Sequence, residues 1–180
     1  MRLRGAKALA VCRKGTAAAE MALVTPLLII LMFGSFELGN YFLSEHVVVK
    51  AVRDGVRYAS RLNMSNFNCT TASSDNTLAD ATVEANIQNL VRTGLVTIAD
   101  DDEARLRGWS DGSTIHVEYD CVAVGDADPP YSGIYTGLDY VPVVHVAVRD
   151  LDYTSLFNDL GFTSSTVTLN AEAQSAVMGI

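Results

Sequence analysis

The most regular pattern in the chain is an apolar run close to its start. Residues 21–36, sixteen in all, carry no charge, and that length is slightly short for a bilayer. Extending the run back to Thr16 gives about 31 Å of helix at ~1.5 Å per residue, which matches a hydrocarbon core of roughly 30 Å. The pattern therefore predicts a membrane-spanning helix with Glu20 at or inside the membrane boundary.

Beyond the apolar run, the spacing of residues remains helical. Apolar positions recur at intervals of three and four from Val48 to Leu62, and basic positions do the same on another face. Such stripes are typical of an amphipathic helix, so we predict one helix from about Thr16 to Leu62, kinked at Pro26. We interpret the basic positions as a solvated face that pairs with the domain's acids; binding of lipid phosphates or of an acidic partner is the alternative. These positions are Lys50, Arg53, Arg57 and Arg61.

The remaining chain predicts an α+β domain. Residues 63–76 are rich in Asn, Ser and Thr and predict a loop. Helical spacing returns over 77–92, with Ser74 or Asp75 as the candidate N-cap and Gly94 as the candidate C-cap. Strand patterns follow at 115–121, 140–149 and 165–177. We therefore expect a long N-terminal transmembrane helix extending into a domain with a second helix and a small antiparallel sheet of two to four strands.

Charge is distributed unevenly and limits the possible partners. Five of the thirteen basic residues, and none of the twenty-one acidic residues, lie within residues 1–15. Without residues 1–15 the chain keeps 8 basic against 21 acidic residues, a net charge of −13. So acidic a body argues against nucleic acid as a partner. The N-terminal basic cluster favours a cytoplasmic N-terminus and a periplasmic domain.

A specific motif lies where the basic cluster meets the apolar run. Arg13 and Lys14 precede Gly15, and Glu20 follows five residues after that glycine. An ionisable group is costly inside a membrane and is usually functional there. This arrangement resembles a type IV prepilin, whose leader is cut just after the glycine. Two later segments, ELGNYF at 37–42 and AVRDGVRYA at 51–59, narrow the resemblance to the TadE family, the minor pseudopilin-like proteins of tight-adherence (Flp) pilus systems.

The resemblance implies a pilin-like fold in three parts. Residues 1–15 would be a cytoplasmic leader, 16–43 the transmembrane helix, and 44–180 the periplasmic domain. The resemblance makes Gly15 and Thr16 the processing site. It also makes Glu20 the carboxylate that pairs with the free α-amine of Thr16 on a neighbouring subunit, which offsets the cost of burying both charges.

The family also implies partners and a location. The partners would be a prepilin peptidase, a sister pseudopilin, the major Flp pilin, the inner-membrane assembly platform and the membrane itself. The protein would be a single-pass component of the bacterial inner membrane, incorporated in or at the tip of the pilus or retained in the membrane. Its role would be to support pilus biogenesis or initiation, and hence adhesion and biofilm formation, with no catalytic residues, cofactor or metal.

The cysteines give a separate indication of compartment. Removal of the leader would remove Cys12 and leave Cys69 and Cys121 in the body. An oxidising periplasm would allow these two to form a disulfide. Two unrelated thiols are the alternative, because pairing cannot be read from the sequence alone.

An enzyme or binding domain on an uncleaved signal anchor is the competing functional hypothesis. Residues 108–112 read Gly-Trp-Ser-Asp-Gly, the G-x-S-x-G pattern of a hydrolase, and Asp139 and His145 follow in triad order. A nucleophile elbow requires a strand, a turn and then a helix, whereas a strand pattern follows here. We therefore predict a turn at this segment and no hydrolase site.

Overall fold

The long N-terminal helix is present. In the computed structural model, which describes residues 13–99, 102–110, 112–126, 132–158 and 167–179, helix α1 runs Arg13–Ala59. The chain divides into two compact units, Met1–Asn40 and Tyr41–Ile180. The predicted leader falls largely on residues 1–12, which lie outside the described residues.

Helix α1 ends three residues earlier than predicted. After Ala59 the chain continues as a turn, in which the Arg61 and Leu62 N–H groups donate to the carbonyl oxygens of Tyr58 and Ala59, both at 3.1 Å. The buried Ser60 hydroxyl donates to the Arg57 carbonyl at 3.1 Å. The Ser60 carbonyl accepts a 2.7 Å hydrogen bond from the Met178 N–H. The backbone just after the helix therefore binds the segment that follows the last strand of the sheet.

Four antiparallel strands follow in the order β1-β2-β3-β4. Strand β1 is Ser73–Thr77, β2 is Ile115–Ala123, β3 is Tyr140–Asp152 and β4 is Thr168–Ala176. Helix α2, Ala81–Thr93, lies between β1 and β2 in the chain. The predicted α+β class, with a long N-terminal helix, a second helix and a small antiparallel sheet, is therefore confirmed.

Two details of the region before α2 differ from prediction. The segment 63–76 was expected to be a loop, but it contains β1, which pairs with β2 through a register shift between Ser73 and Asn76. Helix α2 begins at Ala81 and not at Thr77, because the Asp80 carboxylate caps it by accepting the Thr82 N–H at 2.8 Å. The predicted C-cap is correct, since Gly94 has a left-handed φ of 93°.

The core forms between one face of α1, helix α2 and one face of the sheet. The α1 residues Val48, Val52 and Ala59 are fully buried there, as are Ile87 and Val91 of α2. Alternate residues of the strands complete the cluster, as period-two burial requires. They include Val117, Tyr119, Val144, Val146 and Val148. One side of the sheet therefore faces α1, and the other side is its outer face.

Gly55 allows the two helices to approach closely. A Cβ atom added there would lie 2.5 Å from Val91 Cγ2, and Val91 is fully buried. We expect Gly55→Ala to lower the free energy of unfolding by about 1–2 kcal/mol. Overpacking costs about 1–3 kcal/mol, whereas alanine in a helix regains at most about 1 kcal/mol. Urea unfolding of the full chain in neutral detergent, followed by fluorescence of the buried Trp109, measures this.

Gly39→Ala is the matched control, because a Cβ atom there would meet nothing within 4 Å. It should leave the unfolding midpoint unchanged or raise it slightly. Equal midpoints for the Gly55 and Gly39 variants would contradict the close packing at Gly55.

Candidate functional site

Gly15 lies in the first turns of α1 and is exposed. A Cβ atom added at Gly15 would have no heavy atom within 4 Å, so no other part of the described chain blocks access to this backbone. Glycine also destabilises a helix by roughly 1 kcal/mol relative to alanine, which favours local unwinding near a helix end. The backbone at the predicted scissile bond is accessible, while the side chain of Thr16 lies outside the described residues.

Glu20 is exposed on the same helix. Four residues of helix separate it from Thr16, a rise of about 6 Å. No ion pair involves Glu20 within the described part of the chain. Its carboxylate is therefore available to a group supplied by another molecule.

The surface around Glu20 is apolar on every side of the helix. Leu23 is 81% and Ile30 is 68% exposed, although a helix of a soluble protein buries its apolar face. The hydroxyls of Thr25 and Ser35 donate to the carbonyls of Met21 and Met32, at 2.6 and 2.8 Å, which satisfies them without water. The helix is long and apolar enough to span a membrane, and its self-satisfied polar groups suit hydrocarbon.

The structure brings the two cysteines of the body together. Cys69, in the segment after α1, and Cys121, near the end of β2, are joined as a disulfide with their Cα atoms 5.4 Å apart. Cys121 pairs in register with Ser73 of β1. The bridge therefore links the segment that precedes the edge strand β1 to the inner strand β2.

The G-x-S-x-G segment forms no nucleophile elbow in the described residues. It leads into strand β2 and not into a helix, and the Trp109 indole is buried and donates to Thr114 Oγ1 at 3.1 Å. A surface cleft of about 510 Å³ beside it is lined by residues that include Arg107 and Ser110, but neither Asp139 nor His145 lines it. Asp111 lies outside the described residues.

His145 instead faces two carboxylates on the outer face of the sheet. Its Nε2 lies 3.1 Å from Asp120 Oδ2, and its Nδ1 lies 3.8 Å from Glu172 Oε1. The sequence pattern alone does not reveal this cluster. The alternation of β2, β3 and β4 would place His145 and the acids on one face, but only the strand register makes Asp120 and Glu172 diagonal neighbours of His145. In the described ranges, no group of three or more His, Cys, Asp or Glu residues has the arrangement of a metal site.

Comparison with known families agrees with the N-terminal geometry. The family model described as TadE-like protein matches residues 15–57. We call residues 15–57 the TadE-like segment because they are similar to this family. The match begins at the predicted processing glycine and includes Glu20 and most of α1, so the resemblance is confirmed over this range and points to involvement in tight-adherence (Flp) pilus systems. No curated protein and no solved structure matches the chain significantly.

The TadE-like segment does not extend over the sheet. The match ends at residue 57 of α1, before strand β1 begins at Ser73. The resemblance to TadE-like proteins is therefore confined to α1.

Proposed function

We propose that this protein is a minor pseudopilin-like component of a tight-adherence (Flp) pilus assembly system. A prepilin peptidase cuts it after Gly15, and it then supports initiation or biogenesis of the pilus and so adhesion and biofilm formation. The observation that carries the proposal is Glu20, which is exposed and forms no ion pair with another described residue, next to an apolar stretch of helix and five residues after an accessible glycine within the TadE-like segment. The protein performs no chemistry of its own.

The proposed topology follows from charge and from the disulfide. The basic N-terminus stays in the cytoplasm, residues 16–43 cross the inner membrane, and residues 44–180 fold in the periplasm. An oxidising periplasm supports the bridge between Cys69 and Cys121. The peptidase then meets the bond between Gly15 and Thr16 at the cytoplasmic face of the membrane.

Cleavage creates the group that Glu20 requires. Hydrolysis of the Gly15–Thr16 bond leaves a positively charged α-amine on Thr16. Two charges of opposite sign in a medium of low dielectric constant attract each other strongly, and each is costly when unpaired. Pairing of Glu20 with the amine of a neighbouring subunit therefore fixes the register of the two helices. The proposed partners are the peptidase, a sister pseudopilin, the major Flp pilin and the assembly platform.

The decisive experiment is N-terminal sequencing of membrane-fractionated protein from cells that contain the peptidase. We expect the mature chain to begin at Thr16. Gly15→Leu should lower the rate of cleavage by roughly a hundredfold, because a bulky side chain misplaces the scissile bond and such misplacement costs rates of that order. The variant should keep the mass of the leader on a gel.

Gly34→Leu is the control, since Gly34 is also open, with no heavy atom within 4 Å of an added Cβ, and should not affect cleavage. An intact Met1 in the membrane fraction would instead support the competing hypothesis of an enzyme or binding domain on an uncleaved anchor. Normal cleavage of Gly15→Leu would show that the peptidase cuts at a different bond.

A further inference from the structure

Four basic side chains line the side of α1 that faces away from the core. Arg53, Arg57 and Lys50 lie within about 60° around the helix at ~100° per residue, and Arg61 follows in the turn after it. All four are exposed. We call these four residues the basic stripe. Val52 and Ala59, which are fully buried, lie on the opposite side of the same helix.

The basic stripe was expected to pair with acids of its own domain, but it does not do so in the described residues. An ion pair of α1 involves Asp54, which is not part of the stripe: its Oδ2 lies 2.9 Å from Arg105 Nη1. No salt bridge joins a residue of the stripe to a described acid. The stripe holds four of the eight basic residues after Gly15, in a chain with twenty-one acids there. This concentration of unpaired positive charge favours an acidic ligand.

Lipid headgroups are too far away for most of the stripe. Arg53 and Arg57 lie about 15 and 21 Å of helix rise beyond Leu43, the last residue of the predicted membrane span. The headgroup region adds only about 5–8 Å on each side of the hydrocarbon core, and a tilt of 40° would shorten these heights by only about a quarter. An acidic protein surface therefore suits the stripe better than a membrane surface.

The chain carries such a surface on the other side of its sheet. Glu118, Asp120 and Glu172 lie on the outer face of β2 and β4, and we call them the acidic face. The side chains of Asp120 and Glu172 are 30% and 60% exposed. The inner face of the sheet packs against α1, since an added Cβ at Gly55 would lie 3.6 Å from Val146 Cγ1. The stripe and the acidic face therefore point in opposite directions and cannot meet within one copy.

We propose that the basic stripe of one copy contacts the acidic face of a second copy. Such a contact uses two different surfaces, so it is heterologous and propagates from copy to copy instead of closing into a dimer. It rests on the proposed function, because a pilus-type assembly is what brings copies side by side in the membrane. Lys50, Arg53 and Arg57 lie within the TadE-like segment, and the contact gives these exposed cations a role.

Charge exchange tests the contact. Donor- and acceptor-labelled full chains are reconstituted together in phosphatidylcholine vesicles, and energy transfer is measured against protein density. The wild-type chain should associate with itself. Raising the salt concentration from 50 to 500 mM should weaken this association, because exposed charges are screened. Arg53→Glu with Arg57→Glu should reduce association by about tenfold or more, since like charges then face each other. Glu118→Arg with Glu172→Arg should do the same.

A chain with all four substitutions should regain association, because the signs on the two surfaces are exchanged. Arg57→Glu and Arg92→Glu change the net charge equally, but Arg92 lies on α2, outside both surfaces, so only Arg57→Glu should weaken association. Retention of the disulfide and of the fluorescence of the buried Trp109 verifies folding of each variant. Failure of the four-fold variant to recover, or an equal effect of Arg57→Glu and Arg92→Glu, would overturn the proposal.

Two further outcomes distinguish the alternatives. If wild type does not associate, and the stripe variants lose binding only to vesicles that contain phosphatidylglycerol, the stripe binds lipid and the proposal is wrong. A failed contact with normal cleavage at Gly15 would leave the proposed function intact. An uncleaved chain that still associates would instead contradict the proposed function alone.

Discussion

Glu20→Ala is expected to reduce piliation by roughly tenfold or more while the protein keeps its level and its place in the membrane. Removal of an ionisable group from a membrane helix favours insertion, so the anchor should not suffer. Assembly should suffer, because the α-amine of Thr16 on a neighbouring subunit is left without its counter-charge in a medium of low dielectric constant. Counts of pili by electron microscopy, with immunoblots of the membrane fraction, measure the two effects separately.

Conservative variants identify the property that matters at this position. Glu20→Gln keeps the size of the side chain and removes the charge, so it should fail like alanine, whereas Glu20→Asp should retain part of the assembly. Leu23→Ala changes an exposed neighbour of the same helix and should have little effect. Full piliation with Glu20→Gln would show that the charge of Glu20 is not used.

Replacement of both Cys69 and Cys121 by alanine is expected to lower the free energy of unfolding by about 4 kcal/mol. The bridge closes a loop with a sequence separation of 52, and the chain-entropy model assigns about that much to a loop of this length. The melting temperature of the body should fall by roughly 10 °C. Thermal unfolding of the mature protein, followed by Trp109 fluorescence, gives the shift.

Thiol labelling checks the premise of this prediction. In denatured mature protein, Cys69 and Cys121 should react with a mass tag only after reduction. The uncleaved precursor is the control, since its Cys12, which belongs to the predicted leader, should react with the tag before reduction. Two thiols that react before reduction would contradict the bridge and weaken the periplasmic placement.

The elements with strong local patterns were predictable from the sequence, and the weak ones were not. Helix α1 and strands β2, β3 and β4 follow their periodicity, because burial of one face or both enforces it. Strand β1, Ser73–Thr77, has the composition of a loop. It becomes a strand because β2 offers it partners, among them the Tyr119 carbonyl, which accepts a 3.0 Å hydrogen bond from Asn76 Nδ2. Such pairing is tertiary and overrides propensity.

The residues of the candidate site were also predictable only in part. Gly15 and Glu20 are recognisable because their relation is one of spacing along the chain. The partners of His145 depend on strand register. The lack of described acids beside Arg53 and Arg57 depends on which side of the sheet α1 covers. The composition indicated many acids with which the basic stripe could pair, but the fold places Glu118, Asp120 and Glu172 on the side of the sheet that faces away from α1.

The central position of β3 has a consequence for biogenesis. Residues 141–148 read VPVVHVAV, and in the folded protein this strand is paired with β2 on one side and β4 on the other. Segments of high β-propensity without charge aggregate when their edges are open. Because β4 follows β3 in the chain and is synthesised after it, one edge of β3 stays uncovered until β4 has been made. Cells that express a chain stopped before Thr168 are therefore expected to accumulate it as insoluble material or to degrade it.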